Sequence, residues 1–332
     1  MDETEGPVGE ITYREAVFTA LREALTEDPL VFIAGEDIGP YGGAYAVTKG
    51  LTEEFGPERV RDSPLSESVI VGAGVGAAMG GCRPIMEVMT INFTLLAMDQ
   101  IVNHAAKMRY MSGGQLSVPL IIRTVTGGGA QVAATHSQSF EGWYASVPGL
   151  KVVVPSTPFD ALGLFRSCRE EEDPVIFVEH VLLYSSRGEV PEGRYKIPIG
   201  IADVKRSGSD LTIVSYSRMV HVALEAAEQL AQEGTEAEVI DLRCLRPLDM
   251  ETVLGSVRKT HRAVVVEEAW RTGGFGAEVA AQIQEYAFDY LDGPVARVGG
   301  EEVPMPYSRP LEQAAIPDSH RVVAAARVLM GG

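Results

Sequence analysis

Two side chains have surroundings that would let them do chemistry. Glu67 falls in Ser63-Pro64-Leu65-Ser66-Glu67, at the head of a stretch from Ser68 to Cys82 that carries no other charge. An acid in the first turn of a helix ordinarily complements the helix dipole. A lone carboxylate on so apolar an element is instead a candidate proton handler, because a dry environment tunes its pKa. His136 falls in Ala133-Ala134-Thr135-His136-Ser137-Gln138-Ser139, behind the run Gly127-Gly128-Gly129. It is one of six histidines in the chain. Imidazole exchanges its proton near neutral pH, and loops at strand ends of open α/β sheets are where ligands bind. The plainer reading is a solvated loop histidine. The glycine-rich stretches carry less. Gly72-Ala73-Gly74-Val75-Gly76 has G-x-G-x-G spacing inside a helical pattern, whereas a dinucleotide loop must follow a strand and open a helix. Close helix packing is the better reading of those small residues. Gly127-Gly128-Gly129 and Gly273-Gly274-Phe275-Gly276 lack the Lys-Ser/Thr of a phosphate loop. No H-x-x-x-H, H-E-x-x-H or acidic cluster suggests a transition metal.

The elements that would position these groups alternate. Thr12-Tyr13-Arg14-Glu15 is a capping box, followed by Val17, Leu21 and Leu25 at helical spacing. Val31-Phe32-Ile33-Ala34 is a short apolar strand, and Val47, Leu51 and Phe55 mark a helix that Gly56 stops. A small-residue helix follows over about 67–80. Strands are expected at 84–88, 119–123, 151–154 and 175–178, with helices at 97–109 and 159–171. Arg187-Gly188-Glu189-Val190-Pro191-Glu192-Gly193 is polar and turn-rich, and reads as a linker. A second alternating series follows, with strands at 211–216, 238–242, 263–267 and 295–298 and helices at 221–232, 249–257 and 276–290. Apolar strands alternating with helices imply an α/β fold, with mostly parallel sheets covered on both faces. Two three-layer domains are expected: residues 1–188, a linker at 189–202, and residues 203–332.

Composition narrows the class. A chain of 332 residues with 45% apolar and 22% charged side chains suits a soluble protein of about two domains. The net charge of −18 disfavours nucleic acid and anionic membrane surfaces, and would suit a basic protein partner. Three cysteines, Cys82, Cys168 and Cys244, lie far apart with no C-x-x-C, which favours a reducing compartment. Met1-Asp2-Glu3-Thr4-Glu5 is neither a signal nor an Arg-rich transit peptide, so a cytoplasmic location is expected.

From Ser63 onward the residues carry a family likeness. The run S-P-L-S-E-S-V-I-V-G-A-G-V-G-A-A-M-G-G resembles the pyrimidine-binding segment of the beta subunits of thiamine-diphosphate-dependent 2-oxo-acid dehydrogenases. The likeness continues through residues 87–114, T-H-S-Q-S at 135–139, V-P-G-L-K-V-V-V-P-S-T-P at 147–158 and D-P-V-I-F-V-E-H-V-L-L-Y at 173–184. V-I-D-L-R-C-L-R-P-L-D at 239–249 and T-G-G-F-G-A-E at 272–278 resemble the family's transketolase-type C-terminal domain. M-T-I-N-F and F-V-E-H-V-L-L-Y look more like the pyruvate-using members than the branched-chain ones.

The resemblance implies roles. Glu67 matches the glutamate that hydrogen-bonds N1′ of the cofactor's aminopyrimidine and so favours the tautomer that removes the thiazolium proton. Leu65 matches a backbone contact to that ring, and Met89 and Phe93 match residues packed around it. His136 matches a histidine near the reacting centre, with a role in proton transfer. Leu120, Cys168, Arg169, Glu171 and Asp173 match a structural potassium site built mostly from carbonyl oxygens. The sequence departs from the family there, which usually has Asp at the Glu171 position and often Asn at the Asp173 position. Single-chain thiamine enzymes carry a G-D-G motif, followed by Asn, that holds magnesium and the diphosphate, and this sequence has no G-D-G. An alpha subunit is therefore expected to hold the magnesium half of the site, in a heterotetramer of two alpha and two beta chains. A lipoyl acyltransferase core is expected as a further partner. The implied reaction is pyruvate decarboxylation with reductive acetylation of a lipoyl group. Branched-chain 2-oxo acids or acetoin are the enzymatic alternatives, and a non-catalytic scaffolding subunit is the alternative of another kind. A transketolase or 1-deoxyxylulose-synthase reading would need the missing G-D-G half on the same chain.

Overall fold

The computed structural model describes residues 8–331, so the acidic stretch Met1 to Glu5 lies outside the described residues. The chain forms two compact units. One holds the chain up to Thr126 together with Tyr144–Ile199, and the other holds Gly127–Trp143 together with the chain from Gly200 onward.

In the first unit, β1 (Val8–Thr12) leads into α1 (Tyr13–Glu27) through the expected capping box. The Glu15 N–H donates to Thr12 Oγ1 at 3.2 Å, and the Thr12 N–H donates to Glu15 Oε2 at 2.7 Å. Then come β2 (Val31–Gly35), α2 (Leu51–Phe55), β3 (Val60–Asp62), α3 (Glu67–Met79), β4 (Arg83–Val88) and α4 (Met108–Met111). They are followed by β5 (Ile121–Thr126), then α5 (Glu141–Ala145), which begins in the second unit and ends in the first, and then β6 (Lys151–Val153), α6 (Pro158–Cys168), β7 (Val175–His180) and β8 (Arg187–Pro191). The strands β6-β7-β5-β4-β2-β3 lie side by side in that order, all parallel. Side chains alternate across the sheet. Met86 faces α3, where a Cβ on Gly74 would sit 2.5 Å from Met86 Cγ. Its neighbour Glu87 faces the other way, onto the layer of α1. There Arg123, Glu179 and Tyr184 join it, and Tyr184 meets Tyr13 edge-on with centroids 6.1 Å apart. The G-x-G-x-G stretch is thus a close-packed helix face and not a phosphate loop.

Two expectations need correction. The polar stretch read as a linker contains β8, which pairs antiparallel with β1 in register from Val8↔Pro191 to Thr12↔Arg187. Its alternating polarity belongs to a two-stranded ribbon, which has no apolar run to advertise it. The helix expected at 97–109 is broken into a 3-10 turn (Phe93–Ala97), a π turn (Gln100–Ala105) and α4. The break falls where Gly149, at φ +98°, approaches so closely that a Cβ would lie 1.9 Å from the Ala106 carbonyl oxygen. Lys107 Nζ also donates to the Pro148 carbonyl at 2.6 Å.

The second unit contains β9 (Asp203–Arg206), β10 (Leu211–Ser215), α7 (Met219–Gln232), β11 (Ala237–Asp241), β12 (Cys244–Arg246) and α8 (Met250–Thr260). The series ends with β13 (Ala263–Trp270), α9 (Phe275–Ala287), β14 (Ala296–Gly300), α10 (Arg309–Ala315) and α11 (Ser319–Met330). Its sheet runs β14-β13-β10-β11-β9, parallel except for the β9 edge. Leu211, Ile213, Val264 and Val266 pack into a core with Met219 and Ala223 of α7 and Val322 and Val323 of α11. The alternate residues face the other layer: Thr212 bonds Ser256 and Thr260 of α8, and Glu267 accepts from the Gly276 N–H of α9. Both units are therefore α/β sandwiches with helices on each face.

Candidate active site

Glu67 opens α3. Ser66 precedes it without making a side-chain cap, so the helix start is left to the backbone and to Glu67. Only 4% of the Glu67 surface is exposed, and its Oε1 accepts no hydrogen bond from any described residue. A carboxylate that merely complements a dipole lies in water or accepts nearby N–H groups. A buried acceptor left open carries a desolvation cost, so a site of this kind points to a donor that arrives with a ligand. Leu65, two residues earlier, is 71% exposed. Met89 and Phe93 are half-buried. The strand end that carries them is fixed to β5: the Ile91 N–H and Thr90 Oγ1 both donate to the Val125 carbonyl, at 2.8 and 3.2 Å. The turn opened by Phe93 packs on α3, so one layer of the first unit brings Phe93 to the helix of Glu67.

Sequence reading missed two acidic features of the first unit. Glu36 follows β2, and burial together with the charges of Asp37 and Glu67 holds its carboxyl above the usual range. Its place in Gly35-Glu36-Asp37, just past a buried strand, was the available signal. The other is a buried network across three strands. Arg123 of β5 pairs with Glu87 of β4 and Glu179 of β7, and Tyr184 donates to Glu179 at 2.7 Å. Burial raises the Glu87 carboxyl, the Arg123 guanidinium opposes that, and the second carboxylate adds to it. Tyr45, from the loop after β2, stacks on Tyr184 at 5.2 Å. Gly35 is required beneath this loop, because a Cβ there would lie 2.8 Å from Glu87 Cβ.

His136 belongs to the second unit, on the segment Gly127–Trp143. It is exposed, its Nδ1 lies 2.9 Å from Thr135 Oγ1, and its N–H donates to the Ala133 carbonyl at 3.2 Å. The backbone before it is twisted: Gln131 and Ala133 both have positive φ, +57° and +66°. Ser137 is buried, and its hydroxyl finds no partner among the described residues.

Leu120, Cys168, Arg169, Glu171 and Asp173 do come together, at the start of β5 and the turn after α6. Their oxygens already have donors. The Leu120 carbonyl accepts from the Val175 N–H at 2.9 Å and the Cys168 carbonyl from the Glu171 N–H at 3.2 Å. Arg83 donates to the carbonyls of Arg169 and Glu171 at 3.0 and 3.2 Å. Lys151 pairs with the Glu171 carboxylate, and Arg109 reaches Asp173 at 3.2 Å. A cavity of about 440 Å³ opens beside this turn, lined in part by Arg83, Ile121, Cys168 and Arg169.

The two α/β units define a chain of the transketolase type. Residues 9–186 match the transketolase pyrimidine binding domain, and residues 200–322 match the transketolase C-terminal domain. A solved split-gene transketolase, described as an inactive beta4 tetramer, superposes with a TM-score of 0.76 at 26% identity, covering 97% of this chain and 99% of that one. The mitochondrial pyruvate dehydrogenase E1 component subunit beta-2 of Oryza sativa subsp. japonica is 48% identical over 96% of this chain and 86% of its own length. The pyruvate dehydrogenase E1 component subunit beta of Rickettsia felis is 46% identical over 96% of this chain and 98% of its own. That of Rhizobium meliloti is 46% identical over 96% and 70%. The chain belongs to the family of pyruvate dehydrogenase E1 component beta subunits. The likeness read from Ser63 onward and the α/β, two-domain fold expected from the alternating pattern both hold.

Proposed function

We propose that this chain, joined to an alpha subunit, decarboxylates pyruvate on thiamine diphosphate and passes the acetyl group to a lipoyl acceptor. Pyruvate loses carbon dioxide, and its two-carbon remainder is oxidised as the lipoyl disulfide is reduced. One sulfur takes the acetyl group and the other a proton. The observation that carries this reading is the buried, partnerless Oε1 of Glu67 in a chain 48% identical to E1 beta subunits. That oxygen fits a ring N–H donor, and a charge-assisted bond in a dry setting is strong. When bound, thiamine diphosphate supplies a nucleophilic carbon and an electron sink. Glu67 holds a proton at the pyrimidine's N1′, Leu65 offers backbone to the ring, and Met89 and Phe93 pack around it and exclude water. His136 moves a proton during decarboxylation or acyl transfer.

The alpha subunit supplies the magnesium and diphosphate half, since the sequence contains no G-D-G. The apolar side chains that α3 and its neighbours leave exposed suit such a partner: Leu65, Val69, Leu96, Tyr110 and Met111 are all more than half exposed. A two-alpha, two-beta assembly working on a lipoyl acyltransferase core, in the cytoplasm, completes the proposal. No helix among the described residues is long and apolar enough to cross a membrane. Potassium at Leu120, Cys168, Arg169, Glu171 and Asp173 would share carbonyls that already accept from Arg83, so no step is assigned to it.

Co-expression with an E1 alpha subunit, followed by acylation of a lipoyl domain, tests the reading. Pyruvate should be the preferred substrate, and neither chain alone should turn over. Preference for a branched-chain 2-oxo acid or acetoin would overturn the substrate. A complex that assembles without binding the cofactor would point to a scaffolding subunit.

A further inference from the structure

The backbone that leads to His136 is held by two carboxylates from distant parts of the second unit. The Gly128 N–H donates to Glu268 Oε1 of β13 at 2.7 Å. The Gly129 and Gln131 N–H groups both donate to Glu312 Oε1 of α10, at 2.9 and 3.0 Å. Glu312 is fully buried, and its other oxygen accepts nothing from the described residues. Arg218 lies 3.5 Å from the second oxygen of Glu268. Gly128 is clamped between side chains, since a Cβ there would come within 3.0 Å of both Ile316 Cδ1 and Met305 Cε.

The segment could not hold this shape unaided. Gly127, Gly129, Gln131 and Ala133 all have positive φ, and non-glycine residues reach that region only when their surroundings impose it. Three glycines in a row supply many competing conformations. Charged acceptors make the stronger hydrogen bonds, and here they take three N–H groups within four residues. Five residues beyond the last of these, the chain presents the imidazole.

We infer that Glu312 and Glu268 are positioning residues for His136: they fix the glycine loop so that the imidazole meets the reacting centre in one orientation. The inference rests on the proton-transfer role given to His136 above. A displacement of about 1 Å at a reacting group can cost on the order of 100-fold in rate, so a buried strap on a glycine-rich loop is the element such a residue needs.

A double-mutant cycle on the alpha–beta complex tests it, read as kcat for lipoyl acetylation and as the dissociation constant of thiamine diphosphate. Glu312→Ala should lower kcat by about 10–100-fold while cofactor affinity stays within about twofold. Glu312→Gln keeps an acceptor oxygen and should recover most of the rate. In a His136→Ala background the further change Glu312→Ala should alter kcat by less than about twofold, because residues acting through one another do not add. If Glu312→Ala fails to assemble, Glu268→Ala, which releases the Gly128 N–H together with the Arg218 contact, takes its place in the cycle. Losses that multiply in the double variant, with His136→Ala itself disabled, overturn the strap and leave the His136 role standing. A His136→Ala complex that turns over at the wild-type rate removes both.

Discussion

At the scale of single residues the proposed chemistry turns on Glu67. A carboxylate 4% exposed, with one oxygen open, can favour a protonated pyrimidine as no neutral side chain can. Glu67→Gln keeps the shape and can still hydrogen-bond. The expected loss is on the order of 10²–10⁴ in kcat, the range for a group that takes part in proton transfer. Exchange of the thiazolium C2 proton for deuterium in the reconstituted complex should slow with it. Exchange as fast as in the wild type would return Glu67 to the helix dipole, a role worth about 0.3–1 kcal/mol of stability. Glu67 stands out in the sequence because its surroundings lack charge, and the structure buries it there. Other groups do not stand out. Glu87, Arg123 and Glu179 become one network only when three strands pair in a definite register. Glu268 and Glu312 meet the glycine loop across 140 and 183 residues. No local pattern records a contact of that separation.

At the scale of elements, what local chemistry dictates was readable and what tertiary contact dictates was not. The capping box at Thr12 and Glu15 starts α1 where the sequence places it. The segment expected as one helix at 97–109 is divided into 3-10, π and α turns, and Gly149, from outside the segment, comes close to the Ala106 carbonyl at the last junction. Another cap gives a pH test. Asp249 accepts from the Thr252 N–H at 3.1 Å, the Thr252 hydroxyl at 2.7 Å and the Ala202 N–H at 3.0 Å. Burial opposes its charge, but these hydrogen bonds outweigh burial and hold the carboxyl below its ordinary value near 3.8. A folded-state pKa below the unfolded one stabilises the protein above the unfolded value, and that contribution is lost as pH falls through the folded one. Asp249→Ala should cost about 0.5–2 kcal/mol near neutral pH. Urea unfolding followed downward from pH 7 should show the gap to wild type narrowing only in the acid range, below about pH 4. A gap that stays constant to pH 2.5 would show that the charge contributes nothing.

At the scale of the whole molecule, a net charge of −18 gives the chain a long-range field. Docking of the assembled complex to a basic segment of a lipoyl acyltransferase core should weaken with salt, since exposed charges are screened within about 8–10 Å at physiological ionic strength. Calorimetry at about 50 and 500 mM salt should show the dissociation constant rising on the order of tenfold or more. A value flat across that range would mean an apolar interface. Sequence reading separated the two domains at a single linker. The structure counts Gly127–Trp143 with the later half of the chain, although β5 and β6 on either side of it belong to the earlier half. No stretch of polar or turn residues marks such an exchange, so composition could not reveal it. The exchange bears on inheritance. A chain assembled from two relatives by crossing over near residue 200 would take its histidine loop from one parent and the Glu268 and Glu312 acceptors from the other. Such hybrids should survive only where both parents keep those two acids, so the pieces of this protein that can be traded are not the two that its chain order suggests.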